Sequence, residues 1–445
     1  MTIESVKTTT ATSRAEVERI FELQSRHQWV VRASTSQERK QRLMRLKEVL
    51  LAHADEAVAA LTADLGRPAG FSEVWPPVAK IDATLSKLDE WMAPQVVTDL
   101  EKASSAQVRW EARGVVLLFG PWNVPIGLLF EPLVAIIAAG NTAIVKPNEL
   151  TPAASALSAR IIREVFDERE VAVVEGGTDL AEILLEQPFD HIFLTGSPKV
   201  GRAVMAAAAK NLATVTLELG GKCPAIIDQS TDLDIVIPQI GETKMSNGGQ
   251  VCLSVDYVLV PHSRVEEFAS RLSEYYTTNY YVDGVYQSER TARVVNRPNF
   301  ERVAGYIDDA VARGAKVVFG GATDMERLVV EPTILTGVPV DADVMQAEIF
   351  GPILPIIGYE NLDEAIAHVR KGTKPLAMYI FSDVEDDVER ILSSTSSGGV
   401  SINGCMTHYW EDSLPFGGVG DSGIGRYHGV DGFRELSNPR AVAVK

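Results

Sequence analysis

Cysteine and basic residues are both scarce in this sequence of 445 residues. Its three cysteines (Cys223, Cys252 and Cys405) show no C-x-x-C spacing, which excludes a disulfide scaffold, and we expect no bound metal. Free thiols are typical of a reducing compartment, which indicates the cytoplasm. Lys and Arg number 42 against 60 Asp and Glu, a net charge of −18. Because that field repels phosphate backbones and anionic lipids, neither nucleic acid nor a membrane is an expected partner.

Long apolar runs are also missing. The chain is strongly apolar from 114 to 145, but Pro121, Asn123, Glu131 and Pro132 interrupt it. A membrane span needs about 20 nearly unbroken apolar residues, so this stretch is predicted to be buried core. Residues 1–10 have no basic start followed by an apolar run, and we therefore expect no secretory signal.

The proportions of hydrophobic residues (46%) and charged residues (23%) are those of an ordinary globular protein. Amphipathic helices are predicted between 36 and 65, and from 115 onward short apolar runs alternate with helical segments. This alternation favours parallel sheets and an α/β fold of two or three domains. A second alternating set begins after Gly220–Gly221, where we place a domain boundary.

One turn is a candidate anion site. A predicted strand at 191–195 leads into Gly196, Ser197 and Gly201, and then into a helix. Such a turn lets backbone N–H groups and a helix N-terminus face a dinucleotide pyrophosphate. The spacing is Gly-x-x-x-x-Gly rather than Gly-x-Gly-x-x-Gly, so an ordinary strand-to-helix turn is an equally good interpretation of this motif alone.

Cys252 is a candidate nucleophile. It follows a loop of small residues, Asn247 to Val251, that gives a thiolate access to substrate. The alternative is a small buried hydrophobe, the more common role of a single cysteine. Cys223 and Cys405 fit that alternative better, because neither lies in such a loop.

Two further side chains are candidates for the chemistry. Glu218 interrupts the apolar strand predicted at 214–219, where burial would raise its pKa and suit a general base; a solvent-facing strand residue is the alternative. Asn123 lies between Pro121 and Pro125 after another predicted strand. Its amide is either a hydrogen-bond donor to substrate or part of a turn.

Taken together, these segments resemble the aldehyde dehydrogenase superfamily in order and spacing, over nearly the whole chain. The segments that carry the resemblance are Gly120-Pro121-Trp122-Asn123, Lys146-Pro147-Asn148-Glu149, Phe193 to Ser197, Leu217 to Lys222, Gly249-Gln250-Val251-Cys252 and Glu348-Ile349-Phe350-Gly351-Pro352. The stretches 293–302 and 415–429 are similar to the class 3 branch, which includes benzaldehyde-type enzymes.

The resemblance implies a role for each matching position. Cys252 matches the nucleophile, Glu218 the base for deacylation and Asn123 the amide that holds the oxyanion. The implied cofactor-binding residues are Trp122, Lys146, Glu149, Gly196, Ser197, Gly201, Leu219, Glu348 and Phe350, and Phe416 and His428 match the aldehyde pocket. The sequence departs from the family at Val124, which replaces an aromatic residue, and at Pro198, which removes one N–H donor from the turn.

The implied reaction oxidises an aldehyde, in this branch an aromatic one, to the carboxylic acid through a hemithioacetal and a thioester on cysteine. Semialdehydes and medium-chain aliphatic aldehydes are alternative substrates. NAD is the expected cofactor, because a carboxylate at 149 accepts ribose hydroxyls and repels a 2′-phosphate, and NADP is the alternative. A CoA-acylating enzyme is less consistent with Glu218, and a cysteine hydrolase using His408 or His428 would leave the Gly196 turn without a purpose.

The fold implied by the resemblance is aldehyde dehydrogenase-like. A Rossmann-type dinucleotide-binding domain is expected over 1–96 and 111–219, and an α/β catalytic domain over 220–395. A small β oligomerisation element is expected over 97–110, as a hairpin, and over 396–445. Class 3 enzymes are usually dimers, so the implied partners are a small-molecule aldehyde and a second copy of the chain.

Overall fold

The computed structural model describes residues 12–68 and 72–445. The expectation about a secretory signal concerns residues 1–10, which lie outside the described residues. The helices are α1 (Arg14–Arg32), α2 (Ser36–Ala52), α3 (Ala54–Leu65), α4 (Trp75–Met92), α5 (Gly127–Ala139), α6 (Pro152–Val165), α7 (Thr178–Leu185), α8 (Pro198–Asn211), α9 (Leu233–Met245), α10 (Val265–Tyr280), α11 (Arg297–Ala312), α12 (Asp343–Gln346), α13 (Leu362–Lys371), α14 (Glu385–Ser394), α15 (Thr407–Trp410) and α16 (Gly429–Glu435).

The strands run through most of the same range. They are β1 (Gln95–Val97), β2 (Ser105–Ala112), β3 (Val115–Phe119), β4 (Thr142–Lys146), β5 (Val171–Val173), β6 (His191–Gly196), β7 (Thr214–Leu219), β8 (Pro224–Ile227), β9 (Tyr257–Pro261), β10 (Tyr281–Val282), β11 (Val285–Tyr286), β12 (Lys316–Phe319), β13 (Thr323–Asp324), β14 (Val329–Val330), β15 (Thr333–Thr336), β16 (Ile353–Tyr359), β17 (Ala377–Phe381), β18 (Gly399–Ile402), β19 (Gly423–Ile424) and β20 (Ser437–Val444).

The first large sheet has the strand order β19-β7-β6-β3-β4-β5 and is parallel except for β19. Every residue of β3 and β4 is buried, as expected for central strands covered by helices on both faces. From β3 the chain moves to β4 and β5 on one side, and later to β6 and β7 on the other. The carboxyl ends of β3 and β6 therefore flank a topological switch point, where α/β proteins bind ligands.

The second large sheet follows β7. Its order is β12-β15-β16-β9-β8-β17-β18, and all of its strand pairs are parallel except β12 with β15. The strands that the sequence predicts after Gly220 lie in this sheet. The two sheets therefore bring the ends of β3, β6 and β7 near the segments that precede and follow β8.

A small antiparallel sheet has the order β1-β2-β20. β1 and β2 form the hairpin predicted between 97 and 110, and β20 pairs with β2 over eight residues, from Ser105 with Val444 to Ala112 with Ser437. The rest of the 396–445 segment differs from the expected element. β18 lies in the second large sheet and β19 in the first, because their backbones pair with β17 and β7.

The apolar stretch at 114–145 is core, as predicted. It contains β3, α5 and β4, and all residues of α5 except Ala135 are buried. A helix that is apolar all round must be covered on every face, and α5 contacts α2, α4 and α16. Within residues 12–68 and 72–445, no helix is long and apolar enough to cross a membrane.

Candidate active site

Cys252 lies in a tight turn between the short 3₁₀ helix Ser246–Gly249 and β9. Its side chain is half-buried. The thiol of Cys223 donates a hydrogen bond to the carbonyl oxygen of Cys252 (3.3 Å), and the hydroxyl of Tyr379 donates to the carbonyl oxygen of Leu253 (2.5 Å). These bonds hold the backbone on both sides of the thiol, so the turn presents Cys252 in one orientation.

Asn123 reaches the same turn from the end of β3. Its side-chain amide donates to the carbonyl oxygen of Gln250 (3.0 Å), two residues before Cys252. An amide nitrogen carries two hydrogens, and among the described residues the second has no acceptor. Asn123 therefore has an N–H group to offer to an oxygen beside the thiol.

Glu218 lies on β7 and is buried. A Cβ added to Gly417 would be 3.0 Å from Oε1 of Glu218, which shows how closely the backbone at Gly417 covers this carboxyl group. Among the described residues neither carboxyl oxygen accepts a hydrogen bond. Burial raises the pKa of Glu218 well above its usual range, Arg426 lowers it, and Glu435 raises it further. Glu218 is therefore not the solvent-facing strand residue of the alternative interpretation, and its role as a base stays a prediction.

The carboxyl groups of Glu348 and Glu218 affect the pKa of the Cys252 thiol. Burial is the main cause of the raised pKa of Cys252, and the negative charges of Glu348 and then Glu218 raise it further. The backbone N–H groups of Cys252 and Leu253 oppose this and lower the pKa. The structure thus brings Glu218 and Glu348 within electrostatic reach of the Cys252 sulfur.

Glu348 packs against the backbone at the end of β7. A Cβ added to Gly220 would lie 1.9 Å from its Oε2 atom, so only glycine leaves room for this carboxylate. Burial and then the charge of Asp256 raise the pKa of Glu348 to about 8, against the lowering effects of the N–H of Gly221 and the cations Arg302 and Lys222. A group with this pKa changes its charge near neutral pH.

A second group of predicted residues lies at the carboxyl edge of the first sheet. The ammonium of Lys146, the last residue of β4, donates to Glu149 Oε2 (2.7 Å). Ser197 caps α8 after the end of β6, two strands from β4 in the sheet, and its hydroxyl accepts the N–H of Val200 (3.4 Å). A Cβ added to Gly201 would lie 2.9 Å from Leu219 Cδ1, so the glycine allows α8 to pack closely on β7.

These residues fit a dinucleotide. The helix N-terminus at Ser197 is exposed and attracts an anion such as a pyrophosphate, while the Lys146–Glu149 pair offers a donor and an acceptor for a ribose. Trp122 follows β3, and its ring meets that of Phe350 edge-on, with ring centroids 5.3 Å from each other. Phe350 adopts a positive φ of 48° that directs its position beside Glu348.

Aromatic rings form a wall around Phe416. Its ring stacks on His428 (5.2 Å) and meets Tyr409 (5.0 Å) and Tyr427 (5.6 Å) edge-on. The charge of Cys252 acts on the hydroxyl groups of both tyrosines, which places this wall near the thiol. The two predicted pocket residues, Phe416 and His428, are therefore in contact with each other.

His428 and His408 have partners other than the thiol. His428 Nδ1 accepts from the ammonium of Lys80 (3.1 Å), and His408 Nδ1 bonds to Ser401 Oγ (2.7 Å). Among the described residues neither ring forms a hydrogen bond with Cys252. Burial lowers the pKa of both rings, that of His408 to about 4.

Sequence reasoning missed a buried ion pair, Arg67 with Glu73. It lies behind Asn123, and the guanidinium donates to the carbonyl oxygen of Asn123. The only signal in the sequence is a charged pair beside Pro68 between two helices, which by itself is typical of a surface loop. The hydrogen bonds of the Asn247 side chain to the carbonyl oxygens of Asn123 and Gln250 were also missed, although the residue lies in the predicted loop.

The sequence profile of the aldehyde dehydrogenase family matches residues 1–442. The "Probable coniferyl aldehyde dehydrogenase" of Caulobacter vibrioides is 38% identical over 427 residues, 92% of this chain and 87% of that protein. The rat "Aldehyde dehydrogenase, dimeric NADP-preferring" is 38% identical over 412 residues, 92% of this chain and 90% of that protein.

A solved structure is similar over nearly the whole fold. The substrate-bound state of Staphylococcus aureus AldH superposes with a TM-score of 0.91 at 35% identity, covering 96% of this chain and 94% of that one. The likeness includes both large sheets, so the predicted fold class is confirmed.

Proposed function

This chain belongs to the aldehyde dehydrogenase family and is an NAD(P)-dependent enzyme of that family, and we propose that it oxidises an aromatic aldehyde to the carboxylic acid with Cys252 as nucleophile. The observation that carries the proposal is the arrangement around one sulfur atom. Asn123 reaches the turn before the thiol, and Glu218 and Glu348 act on the thiol electrostatically.

In the first step the Cys252 thiolate attacks the carbonyl carbon and forms a hemithioacetal. The negative charge that develops on oxygen is stabilised by the free N–H of Asn123 and by the backbone N–H of Cys252. Removing one such donor typically lowers the rate by about 10²–10³. The other N–H of Asn123 donates to the carbonyl oxygen of Gln250, so the amide is already oriented before substrate binds.

The second half of the reaction needs a base. When bound, the nicotinamide supplies the acceptor for the hydride that leaves the substrate carbon. A thioester on Cys252 then remains, and the Glu218 carboxylate takes a proton from the water that attacks the thioester carbon. The C–S bond then breaks, which releases the carboxylic acid and the Cys252 thiolate. Ser197, Lys146 and Glu149 would hold the dinucleotide at the sheet edge, and Glu348 would hold its nicotinamide end.

The aromatic substrate is proposed from the wall around Phe416. Tyr409, Tyr427 and His428 pack with Phe416 into a buried cluster of π faces and edges, and a flat substrate ring would pack beside this cluster. The name of the Caulobacter relative, a coniferyl aldehyde dehydrogenase, is consistent with this class. Medium-chain aliphatic aldehydes and semialdehydes are the alternatives.

We propose NAD as the preferred cofactor. The Glu149 carboxylate next to Lys146 accepts ribose hydroxyls and repels a 2′-phosphate, whereas the rat relative is named as NADP-preferring. The ratio of kcat/KM for NAD and NADP tests this preference. A ratio below one would contradict it.

The test of the proposed function is the production of NADH from NAD and benzaldehyde. We expect absorbance at the NADH maximum to rise with wild-type protein and not with Cys252→Ala. Cys405→Ala is the matched control, since Cys405 is another partly buried free cysteine and should retain activity. Activity in Cys252→Ala would contradict the role of this thiol and leave a hydrolase or another nucleophile to be sought.

Two other activities are tested in the same assay. Hydrolysis of an ester or amide without nucleotide would support the cysteine hydrolase alternative. The hydrogen bonds of His408 and His428 argue against that alternative, because each ring is bonded to a partner other than Cys252. Dependence of NADH production on CoA would support the acylating alternative. We expect neither, because Glu218 provides a base for hydrolysis within electrostatic reach of the thiol.

A further inference from the structure

We propose that Arg67 is a positioning residue for the oxidation, which it supports by holding the Asn123 segment and the Cys252 turn in fixed relation. The inference rests on the proposed function and goes beyond it, because it assigns Arg67 a role through the backbone of Asn123 and the side chains of Asn247 and Glu73. Its contacts join three segments that are distant in sequence: 67–73, 123–127 and 247–250.

Arg67 makes two separate contacts toward the candidate oxyanion site. Its Nη2 atom donates to the carbonyl oxygen of Asn123, and its Nε atom donates to Asn247 Oδ1 (2.8 Å). The Asn247 side chain then donates to the carbonyl oxygens of Asn123 (2.9 Å) and Gln250 (3.1 Å). The guanidinium thus holds Asn123 directly and the turn before Cys252 through Asn247.

Glu73 completes this arrangement. It forms a buried ion pair with Arg67, and both side chains are at most 3% exposed. Glu73 Oε2 also accepts the backbone N–H groups of Ile126 (2.7 Å) and Gly127 (2.9 Å), at the N-terminus of α5. The carboxylate therefore anchors the far end of the Asn123 segment, and the positive end of the helix stabilises its charge.

The chemistry of this position requires arginine. A guanidinium is a planar group with five donors in fixed directions, whereas a lysine ammonium is a single point charge. Arg67 uses different nitrogen atoms for Glu73, Asn123 and Asn247. Lysine at 67 would keep the charge beside Glu73 but could not keep all three directions. A displacement of about 1 Å between reacting groups can cost about 10²-fold in rate.

The experiment is a double-mutant cycle between Arg67→Lys and Asn123→Ala. We expect Arg67→Lys to lower kcat for benzaldehyde by about 10–100-fold while the KM for NAD changes less than about twofold, since the Lys146–Glu149 edge is not touched. In the Asn123→Ala background, the same substitution should lower kcat by less than about threefold. Such non-additivity shows that Arg67 acts through Asn123.

Arg39→Lys is the matched control. Arg39 is another buried arginine, and it donates to Ser34 Oγ (3.0 Å) and to the carbonyl oxygens of Ala138 (2.8 Å) and Arg32 (3.1 Å). Ala138 belongs to the same helix α5, but at its carboxyl end. We expect Arg39→Lys to lower the melting temperature and leave kcat within about twofold.

Three outcomes overturn the inference. Equal losses from Arg67→Lys in the wild-type and Asn123→Ala backgrounds would show a general structural role, as would a kcat loss in Arg39→Lys of the same size. If Arg67→Lys does not fold, Glu73→Gln, which keeps an oxygen acceptor for α5, enters the same cycle and must show the same non-additivity. Wild-type protein inactive toward every aldehyde would overturn the proposed function itself and this inference with it.

Discussion

The negative charge of Glu348 opposes the ionisation of Cys252. Negative charge on Glu348 raises the pKa of the thiol, and burial of Glu348 raises its own pKa to about 8. Below pH 8 the carboxyl group is mostly neutral and has little effect on the sulfur. Above pH 8 it is ionised and disfavours the thiolate, so the reactivity of Cys252 should depend on Glu348 only in alkaline solution.

This coupling predicts a pH-dependent effect of Glu348→Gln on alkylation of Cys252 by iodoacetamide. At pH 6.5 the variant and the wild type should react at about the same rate. At pH 9 the variant should react several-fold faster, because a thiol without a neighbouring negative charge ionises at lower pH. Cys252→Ala defines the background. A rate ratio that is constant over this range would contradict the raised pKa of Glu348.

Glu218 must be ionised to take part in the reaction, because a protonated carboxyl cannot act as a base. Its pKa is well above the usual range, so the fraction ionised, and with it the rate of thioester hydrolysis, should rise with pH. The Glu218→Gln protein should release about one equivalent of NADH per site rapidly and then turn over slowly. Rapid-mixing absorbance measurements detect the burst; unchanged steady-state turnover would exclude Glu218 as the base.

At the scale of elements, the conformation of the turn that carries Cys252 depends on close contacts between backbone segments. It does not depend on a regular helix or strand. Gly249 has a φ of 76°, and a Cβ there would lie 2.2 Å from the carbonyl oxygen of Gly351. The turn that carries Cys252 therefore lies directly on the segment that carries Glu348 and Phe350. Any side chain at 249 must separate the two.

We accordingly expect Gly249→Ala to reduce kcat/KM by more than about 10²-fold and to lower the melting temperature. Gly305→Ala is the matched control, because Gly305 is an exposed residue within α11 and a Cβ there meets no atom within 4 Å. It should stabilise the protein by about 0.5–1 kcal/mol and leave activity unchanged. Equal activity of the two variants would contradict the close contact at Gly249.

At the scale of the whole molecule, the sheet β1-β2-β20 is the structural feature that suggests association. β20 pairs with β2 along one edge, its other edge is unpaired among the described residues, and Val96 and Val444 are more than half exposed. Unpaired strand edges favour pairing with another chain. The rat relative is named as dimeric, and we propose a homodimer here.

Light scattering coupled to size exclusion should therefore give a mass near 97 kDa, twice the 48.3 kDa of one chain. A chain ending at Arg440 lacks half of the β2–β20 pairing and should elute as a monomer of about half that mass. The net charge of −18 makes the measurement depend on salt, so it should be repeated at 0.15 M and 0.5 M NaCl. A single-chain mass for the intact protein would contradict the proposal.

Much of this architecture is local in origin. The apolar runs at 115–119, 142–145 and 191–195 form the predicted strands, and the hairpin near 97–110 forms as well. Alternating strands and helices specify parallel pairing because consecutive parallel strands need a crossover. The sequence also offered Cys252, Glu218 and Asn123 as candidates, each with an ordinary structural alternative, and the resemblance to aldehyde dehydrogenases implied their roles.

The sequence by itself determined the elements, the α/β class and the candidate nucleophile, base and amide, because these depend on residue type and on neighbours a few positions away. Tertiary structure alone decided that β18 and β19 join different sheets, and that Arg67, Glu73 and Asn247 converge behind Asn123. The side-chain contacts behind Asn123 span up to 180 positions and depend on side-chain direction. No local pattern encodes such a contact, since it exists only once the two sheets have packed.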